Sequence, residues 1–142
     1  KVQKINTKSI NLVDYGKSLS KNMDKEIDGI NIDILLIENQ IGPLALRMKT
    51  LQGMIMQYFI ERKCNIIKEI SAFNKLKEFI KDKKTTYAER KKLSILETIK
   101  YIQENIQHSH WIDKFNSHKK KDDLADAFLQ GLYYLKTNKL IK

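Results

Sequence analysis

The sequence has little of what stabilises secreted or membrane-embedded proteins. It contains one cysteine, Cys64, among 142 residues, so a disulfide framework is excluded and a reducing, intracellular compartment is expected. No apolar run approaches the ~20 residues that a membrane-spanning helix needs, and no signal-peptide pattern opens the chain. The chain begins at Lys1 and so lacks an initiator methionine. We therefore expect the chain to be a fragment of a longer protein.

What the chain has in excess is positive charge. It carries 27 Lys and Arg against 17 Asp and Glu, a formal net charge of +10. Such an excess favours a polyanionic partner, nucleic acid first and an acidic membrane surface second. The membrane alternative lacks a helix with a strongly cationic polar face, and lysine-rich proteins without a polyanionic partner are also common. A hydrophobic content of 42% and a length of 142 residues predict one soluble globular domain over residues 1–142.

A short apolar segment, Asn31 to Gln40, is the centre of the predicted fold. Its run of Ile and Leu predicts a strand buried on both faces, since a half-exposed strand would alternate. Glu38 follows at the carboxyl end, which is where ligand crevices form in open α/β sheets. Glu38 is therefore a candidate site residue, with the alternative that it is only the first solvated residue after the strand.

The residues after this strand predict a helix and a second strand. Apolar residues recur at spacings of three and four from Leu44 to about Arg62, which is typical of a helix. The segment Cys64–Ile70 is predicted to be another buried strand. A strand, a helix and a strand with a crossover of this length predict a right-handed βαβ unit with parallel strands.

The residues before the central strand give weaker signals. Ile5 to Leu12 is weakly strand-like, and Asp14-Tyr15-Gly16 is expected to be the turn that ends this region. A short polar helix is predicted over residues 17–28, with one narrow apolar stripe and Gly29 at its C-terminal end.

Residues 75–92 are the most basic part of the chain. This segment is either a solvated loop entering a helix or a surface that tracks DNA phosphates. Its basic residues are Lys75, Lys77, Lys81, Lys83, Lys84, Arg90, Lys91 and Lys92. A helix is predicted from Tyr87 to Gln107. Its expected inner face consists of Leu93, Leu96, Ile99 and Ile102.

The histidines and aromatic residues further along have structural interpretations. His108, His110 and His118 do not have metal-ligand spacing, and we expect them at the surface. Trp111 and Phe115 are expected to pack in the core.

The last predicted helix carries carboxylates in an unusual position. Asp122 and Asp123 belong to its first turn, where the helix dipole favours negative charge. Asp126 lies among apolar residues, where a carboxylate is costly unless it is paired or bound to a metal. Since Asp126 is three residues from Asp123 and four from Asp122, each pair shares a helix face. Oxygen ligands of this kind suit Mg²⁺.

Two motifs together resemble a known family. Ile37-Glu38-Asn39-Gln40 and Lys120-Lys121-Asp122-Asp123-Leu124-Ala125-Asp126 are similar to motifs of the RuvC-type Holliday junction resolvases, particularly the poxvirus and large-DNA-virus branch. The resemblance implies an α/β, RNase H-like mixed sheet flanked by helices, a homodimer, and cleavage of four-way DNA junctions with Mg²⁺ or Mn²⁺. It implies a viral factory in the cytoplasm of an infected cell, or alternatively a mitochondrion.

The resemblance also implies site residues. Glu38 matches the second acid of the family, and Asp123 and Asp126 match the last two, with Asp122 as an alternative ligand. Lys91 or Lys92 matches the basic residue that assists catalysis. The first acid, an Asp on the first strand, has no match here, so we expect that strand to be absent from this chain. The alternative is a non-catalytic, basic DNA-binding protein on the same scaffold.

Overall fold

The computed structural model describes residues 11–42, 45–80 and 85–141. This part of the chain is mostly helical, with one two-stranded parallel sheet, so the predicted α/β class is confirmed at that level. The helices are α1 (Leu12–Ile27), α2 (Leu46–Glu61), α3 (Tyr87–Glu104), α4 (Ile112–Ser117) and α5 (Lys121–Thr137), and the strands are β1 (Ile34–Glu38) and β2 (Ile66–Ile70). Two 3₁₀ helices, Asn74–Leu76 and Ile106–Trp111, complete these elements.

The chain divides into two compact units, unit 1 (residues 1–69) and unit 2 (residues 70–142). The single RNase H-like domain expected from the sequence stays a prediction.

Helix α1 of unit 1 begins earlier than the sequence predicted. Asn11 caps it, since its side-chain oxygen accepts a hydrogen bond from the Val13 amide at 2.9 Å. The expected turn at Asp14-Tyr15-Gly16 is therefore wrong, because these residues lie inside the helix. The helix ends as predicted, with Gly29 at a φ of +70°, a conformation that costs glycine little. The strand-like residues Ile5 to Ile10 lie outside the described residues.

Strands β1 and β2 occur where they were predicted, but neither is buried on both faces. All five residues of β1 are partly buried, whereas most of β2 is exposed. A two-stranded sheet consists of two edge strands, and β2 carries Lys68 and Glu69, which favour solvent. The expectation of two fully buried strands is therefore wrong.

Helix α2 follows β1 and buries only part of its apolar surface. Its buried residues are Gln52, Tyr58 and Phe59, while Met48 and Ile60 are 50% and 54% exposed. Leu44, expected at its start, lies outside the described residues.

Helices α1 and α2 are joined by a polar contact at Tyr58. The Tyr58 hydroxyl donates a hydrogen bond to Asp24 of α1 at 2.7 Å, and Arg62 forms an ion pair with the same carboxylate. The Arg62 guanidinium lies 3.5 Å from the centroid of the Tyr58 ring, a favourable cation–π arrangement. Burial, followed by the hydrogen bond to Asp24, raises the pKa of Tyr58 above its ordinary value.

The core of unit 2 lies where α3 packs against α5. Leu76 from the first 3₁₀ helix joins Leu129 and Leu132 in one buried cluster. Phe115 of α4 joins Ile102 and Ala125 in the other. The expectation that Phe115 packs in the core is thus confirmed, whereas Trp111 is 47% exposed.

The predicted inner face of α3 is confirmed except at one residue, since the other three are buried or packed against the core. Leu96, expected to point inward, is 62% exposed, and the buried residues are Ser94, Thr98 and Ile102. The Thr98 hydroxyl donates to the Ser94 carbonyl at 2.8 Å. This bond satisfies the Thr98 hydroxyl inside the core, and the small side chains leave room for close helix packing.

A capping box starts α3. The Thr86 hydroxyl accepts from the Glu89 amide at 3.3 Å, and the Glu89 carboxylate accepts from the Thr86 amide at 2.6 Å. The bond from the Thr86 amide is the main reason that the pKa of Glu89 lies below its ordinary value. Together these bonds satisfy two amides that the first helical turn leaves without partners.

Replacing Thr86 with Ala should lower the free energy of unfolding by about 1 kcal/mol, because the Glu89 amide loses its acceptor. Urea unfolding followed by far-ultraviolet circular dichroism measures the change. Thr85→Ala is the matched control, and an equal loss of stability in both variants would contradict the capping role of Thr86.

Candidate functional site

The carboxylates of α5 are held by lysines from other elements of unit 2. The ammonium of Lys75 lies 2.5 Å from Asp126, and the two side chains are only 17% and 28% exposed. Lys75 lies in the 3₁₀ helix after β2, so this contact joins the segment following the strand to α5. The cost of placing Asp126 among apolar residues is thereby offset by a cation.

Asp122, one helical turn before Asp126, forms an ion pair with a different lysine. Lys91 of α3 donates a hydrogen bond to the Asp122 carboxylate. This bond is the main cause that holds the pKa of Asp122 below its ordinary value. It also raises the pKa of Lys91, with Tyr87 adding to the effect. Both groups are therefore charged at neutral pH.

Asp123 lies in a different environment from these two carboxylates. Its side chain is 66% exposed, and its contact is a loose one with Lys120 at 3.8 Å. Asp122 and Asp126, at positions i and i+4, thus form the partly buried face of this turn.

The basic side chains of residues 75–92 are only partly available to a polyanion. Lys77 and Lys92 are exposed, whereas Lys75 and Lys91 are engaged with aspartates. Arg90 donates to the Thr85 carbonyl at 2.6 Å. Lys81, Lys83 and Lys84 lie outside the described residues.

Glu38 belongs to unit 1 and lies at the end of β1, as predicted. Its side chain is partly buried, and so are those of Asn39 and Gln40 after it, which argues against the alternative that Glu38 is simply the first solvated residue. The Gln40 side-chain amide donates to the Glu38 carbonyl at 3.2 Å. The structure thus fixes the backbone of Glu38 through the residues that follow it.

The oxygen ligands expected for Mg²⁺ are present but do not form a complete metal site. Within residues 11–42, 45–80 and 85–141, no group of three or more His, Cys, Asp or Glu side chains is placed to hold a metal ion. Carboxylate oxygens suit Mg²⁺, yet those of Asp122 and Asp126 contact ammonium groups. The described part also contains no helix with the length and apolar character needed to cross a membrane.

Sequence reasoning missed the role of Lys75. It was counted among the cations of the basic segment, although Asp126 required a partner. The only signal was that requirement, since Lys75 is 51 residues away in the chain.

The resemblance to resolvases is supported by comparison with known proteins. The chain belongs to the family described as Poxvirus A22 protein, whose model matches residues 1–139. This is the Holliday junction resolvase family.

The chain is also similar to a protein of a giant virus. The uncharacterized protein L451 of Acanthamoeba polyphaga mimivirus is 31% identical over 138 residues, which cover 84% of this chain. The chain spans 32% of that relative's length. No solved structure matches the chain.

The Lys75–Asp126 pair should be important for the stability of unit 2. Lys75→Met leaves a partly buried carboxylate without its cation, and we expect the free energy of unfolding to fall by about 1–3 kcal/mol. Lys77→Met is the control, because Lys77 is exposed, and it should change stability by less than about 0.5 kcal/mol. Adding Asp126→Asn to Lys75→Met should recover part of the loss, and simple additivity in this double-mutant cycle would contradict the pair.

The Lys91–Asp122 pair predicts a specific pH dependence. Because the folded-state pKa of Asp122 is depressed, its contribution to stability is present above the unfolded-state pKa and is lost as the pH falls through the folded-state value. Asp122→Asn should therefore destabilise the protein at neutral pH, and the difference from the unmodified protein should shrink in strong acid.

Carbon-detected NMR titration of the Asp122 carboxyl group, together with urea unfolding at several pH values, measures this dependence. A difference in stability that stays constant from neutral pH into strong acid would contradict the ion pair.

Proposed function

We propose that the protein acts as a structure-specific endonuclease that resolves four-way DNA junctions in viral recombination and genome processing. The observation that carries the proposal is the family match over residues 1–139. The net charge of +10 supports a DNA substrate. The proposal concerns the whole protein, and it includes an RNase H-like fold and action in the cytoplasm of an infected cell.

The proposed acidic residues are Glu38, Asp123 and Asp126, with Asp122 as the alternative to Asp123. Asp122 differs from Asp123 in being partly buried and held by a lysine, and Asp126 shares both features. The proposal includes a requirement for Mg²⁺ or Mn²⁺, which rests on the resemblance of the motifs.

The lysines of unit 2 have two proposed tasks. Lys75 and Lys91 each hold one carboxylate, that of Asp126 and that of Asp122, in one position, since a charged hydrogen bond restricts its partner. Lys92, which is exposed beside Lys91, can contact a phosphate and offset negative charge that develops during hydrolysis. Lys91 or Lys92 thus remains the proposed basic residue of the site.

The proposed homodimer rests on the resemblance of the motifs and suits the symmetry of the substrate. A four-way junction has two-fold symmetry, which an isologous dimer can match so that each subunit cuts one strand.

A non-catalytic DNA-binding protein is the second candidate function. It is favoured by one observation: the carboxylates of Asp122 and Asp126 are paired with lysines. Competition between a four-way junction and linear duplex at fixed salt tests whether binding depends on DNA structure, because counterion release affects both DNAs. Nicking of a labelled junction with and without Mg²⁺ then separates the enzyme from the binding protein.

In the full-length protein, Glu38→Gln and Asp126→Asn should each reduce junction nicking by about 100-fold or more while junction binding persists. The reason is that each amide removes the charge of a proposed acidic site residue. Glu104→Gln is the matched control, since Glu104 lies in an exposed pair on α3, and it should nick normally. Normal nicking by either site variant, with melting curves confirming a folded protein, would refute the site assignment.

A further inference from the structure

A buried glutamine lies beside the residues that follow Glu38. Gln52 of α2 is 3% exposed, which is unusual for an amide unless its polar atoms are bonded. Its side-chain oxygen accepts a hydrogen bond from the Gln40 backbone amide at 3.0 Å. Its side-chain nitrogen donates to the carboxylate of Glu69 on β2.

These bonds extend to Glu38 and Asn39. The Gln40 side chain donates to the Glu38 carbonyl at 3.2 Å. Lys49 of α2 donates to the Asn39 side-chain oxygen at 2.8 Å and to Glu69 at 3.2 Å. We call Asn39, Gln40, Lys49, Gln52 and Glu69 the strand-end network.

The charge of Glu69 determines how Gln52 is oriented. An ionised carboxylate only accepts hydrogen bonds, so the Gln52 amide group has to turn its nitrogen toward Glu69. The Gln52 oxygen then points to the Gln40 amide. If the Gln52 amide turned by half a rotation, its oxygen would meet the Glu69 carboxylate and its nitrogen would meet the Gln40 N–H, and both contacts would be lost.

We propose that Gln52 is a positioning residue for Glu38, with Glu69 fixing the orientation of Gln52. Its catalytic consequence rests on the function proposed above. Side chains of α2 and β2 together restrain the backbone at the end of β1, so the direction in which Glu38 extends from the strand is fixed. A displacement of about 1 Å at a reacting group can cost about 100-fold in rate, which gives such a restraint a functional purpose.

The test exchanges the two partners in the full-length protein. Gln52→Met removes both bonds of Gln52 while keeping its volume. Gln52→Glu alone places two carboxylates against each other. The double variant Gln52→Glu, Glu69→Gln restores an acceptor for the Gln40 amide and a donor between positions 52 and 69. Gln57→Met, at an exposed position of α2, is the control.

The first readout is hydrogen exchange of the Gln40 backbone amide, which does not depend on activity. In Gln52→Met and Gln52→Glu this amide should exchange at least about tenfold faster, the change that corresponds to the loss of one hydrogen bond. In the double variant and in Gln57→Met its protection should stay near that of the unmodified protein. Unchanged protection in a folded Gln52→Met variant, or no recovery in the double variant, would overturn the proposal.

The second readout is nicking of a four-way junction. Gln52→Met should lower kcat by about tenfold or more with KM little changed, and the double variant should regain most of it. If Gln52→Met loses protection yet nicks normally, the positioning role is overturned. If the unmodified protein does not nick at all while protection follows the expected pattern, the proposed nuclease function fails and the structural role of Gln52 is supported.

Two precautions keep the test decisive. Should Gln52→Met not fold, Gln52→Glu and the double variant provide the same comparison. Gln40→Ala, which keeps the Gln40 N–H and removes only the donor to the Glu38 carbonyl, should lower kcat without faster exchange at position 40. Normal kcat in Gln40→Ala would overturn the link from Gln52 to Glu38.

Discussion

A partly buried carboxylate is costly unless it is paired or bound to a metal, and the first turns of α5 contain two such carboxylates. Asp126 meets Lys75, and Asp122 meets Lys91. The two lysines come from different elements, the 3₁₀ helix after β2 and helix α3. This single electrostatic requirement therefore brings three elements of unit 2 together at the candidate site. Two apolar clusters, one containing Leu129 and the other Ala125, form the core of the same unit.

In unit 1, neutral and charged hydrogen bonds hold the residues beside a candidate site carboxylate. Glu38 ends β1. The strand-end network, with Gln52 at its centre, holds the residues that follow Glu38. In unit 2 Lys75 holds the Asp126 carboxylate, and in unit 1 the strand-end network holds the backbone next to Glu38. Such support is what preorganisation requires, because a site residue that can move loses much of its effect.

The elements were predictable where periodicity carries the information. The strands were found from their apolar runs and α2 from apolar residues at spacings of three and four, and Glu38 was placed correctly because a strand-end residue follows from the strand. The start of α1 was missed because the capping side chain of Asn11 outweighs the turn-like appearance of Asp14-Tyr15-Gly16. On α3 the burial of Ser94 and Thr98 was missed because both are small and polar, so hydrophobicity does not reveal them.

The contacts that define the candidate site were less predictable. No local pattern links Lys75 to Asp126, since the pair forms only in the folded unit, and the same holds for Gln52 with Glu69. Sequence motifs identified the carboxylates and their family, but the partners of those carboxylates are properties of the tertiary structure.

The 51-residue separation of Lys75 and Asp126 also has a consequence for folding. Helix α5 is the last described element, so Asp126 leaves the ribosome long after Lys75 and Leu76. Until α5 docks, Lys75 lacks this carboxylate and Leu76 lacks its apolar partners Leu129 and Leu132. Closing a loop of this length costs conformational entropy, and the packing of α5 has to offset that cost. The candidate site in unit 2 is therefore completed only after α5 has been synthesised, and a nascent chain without α5 would have basic residues but no assembled site.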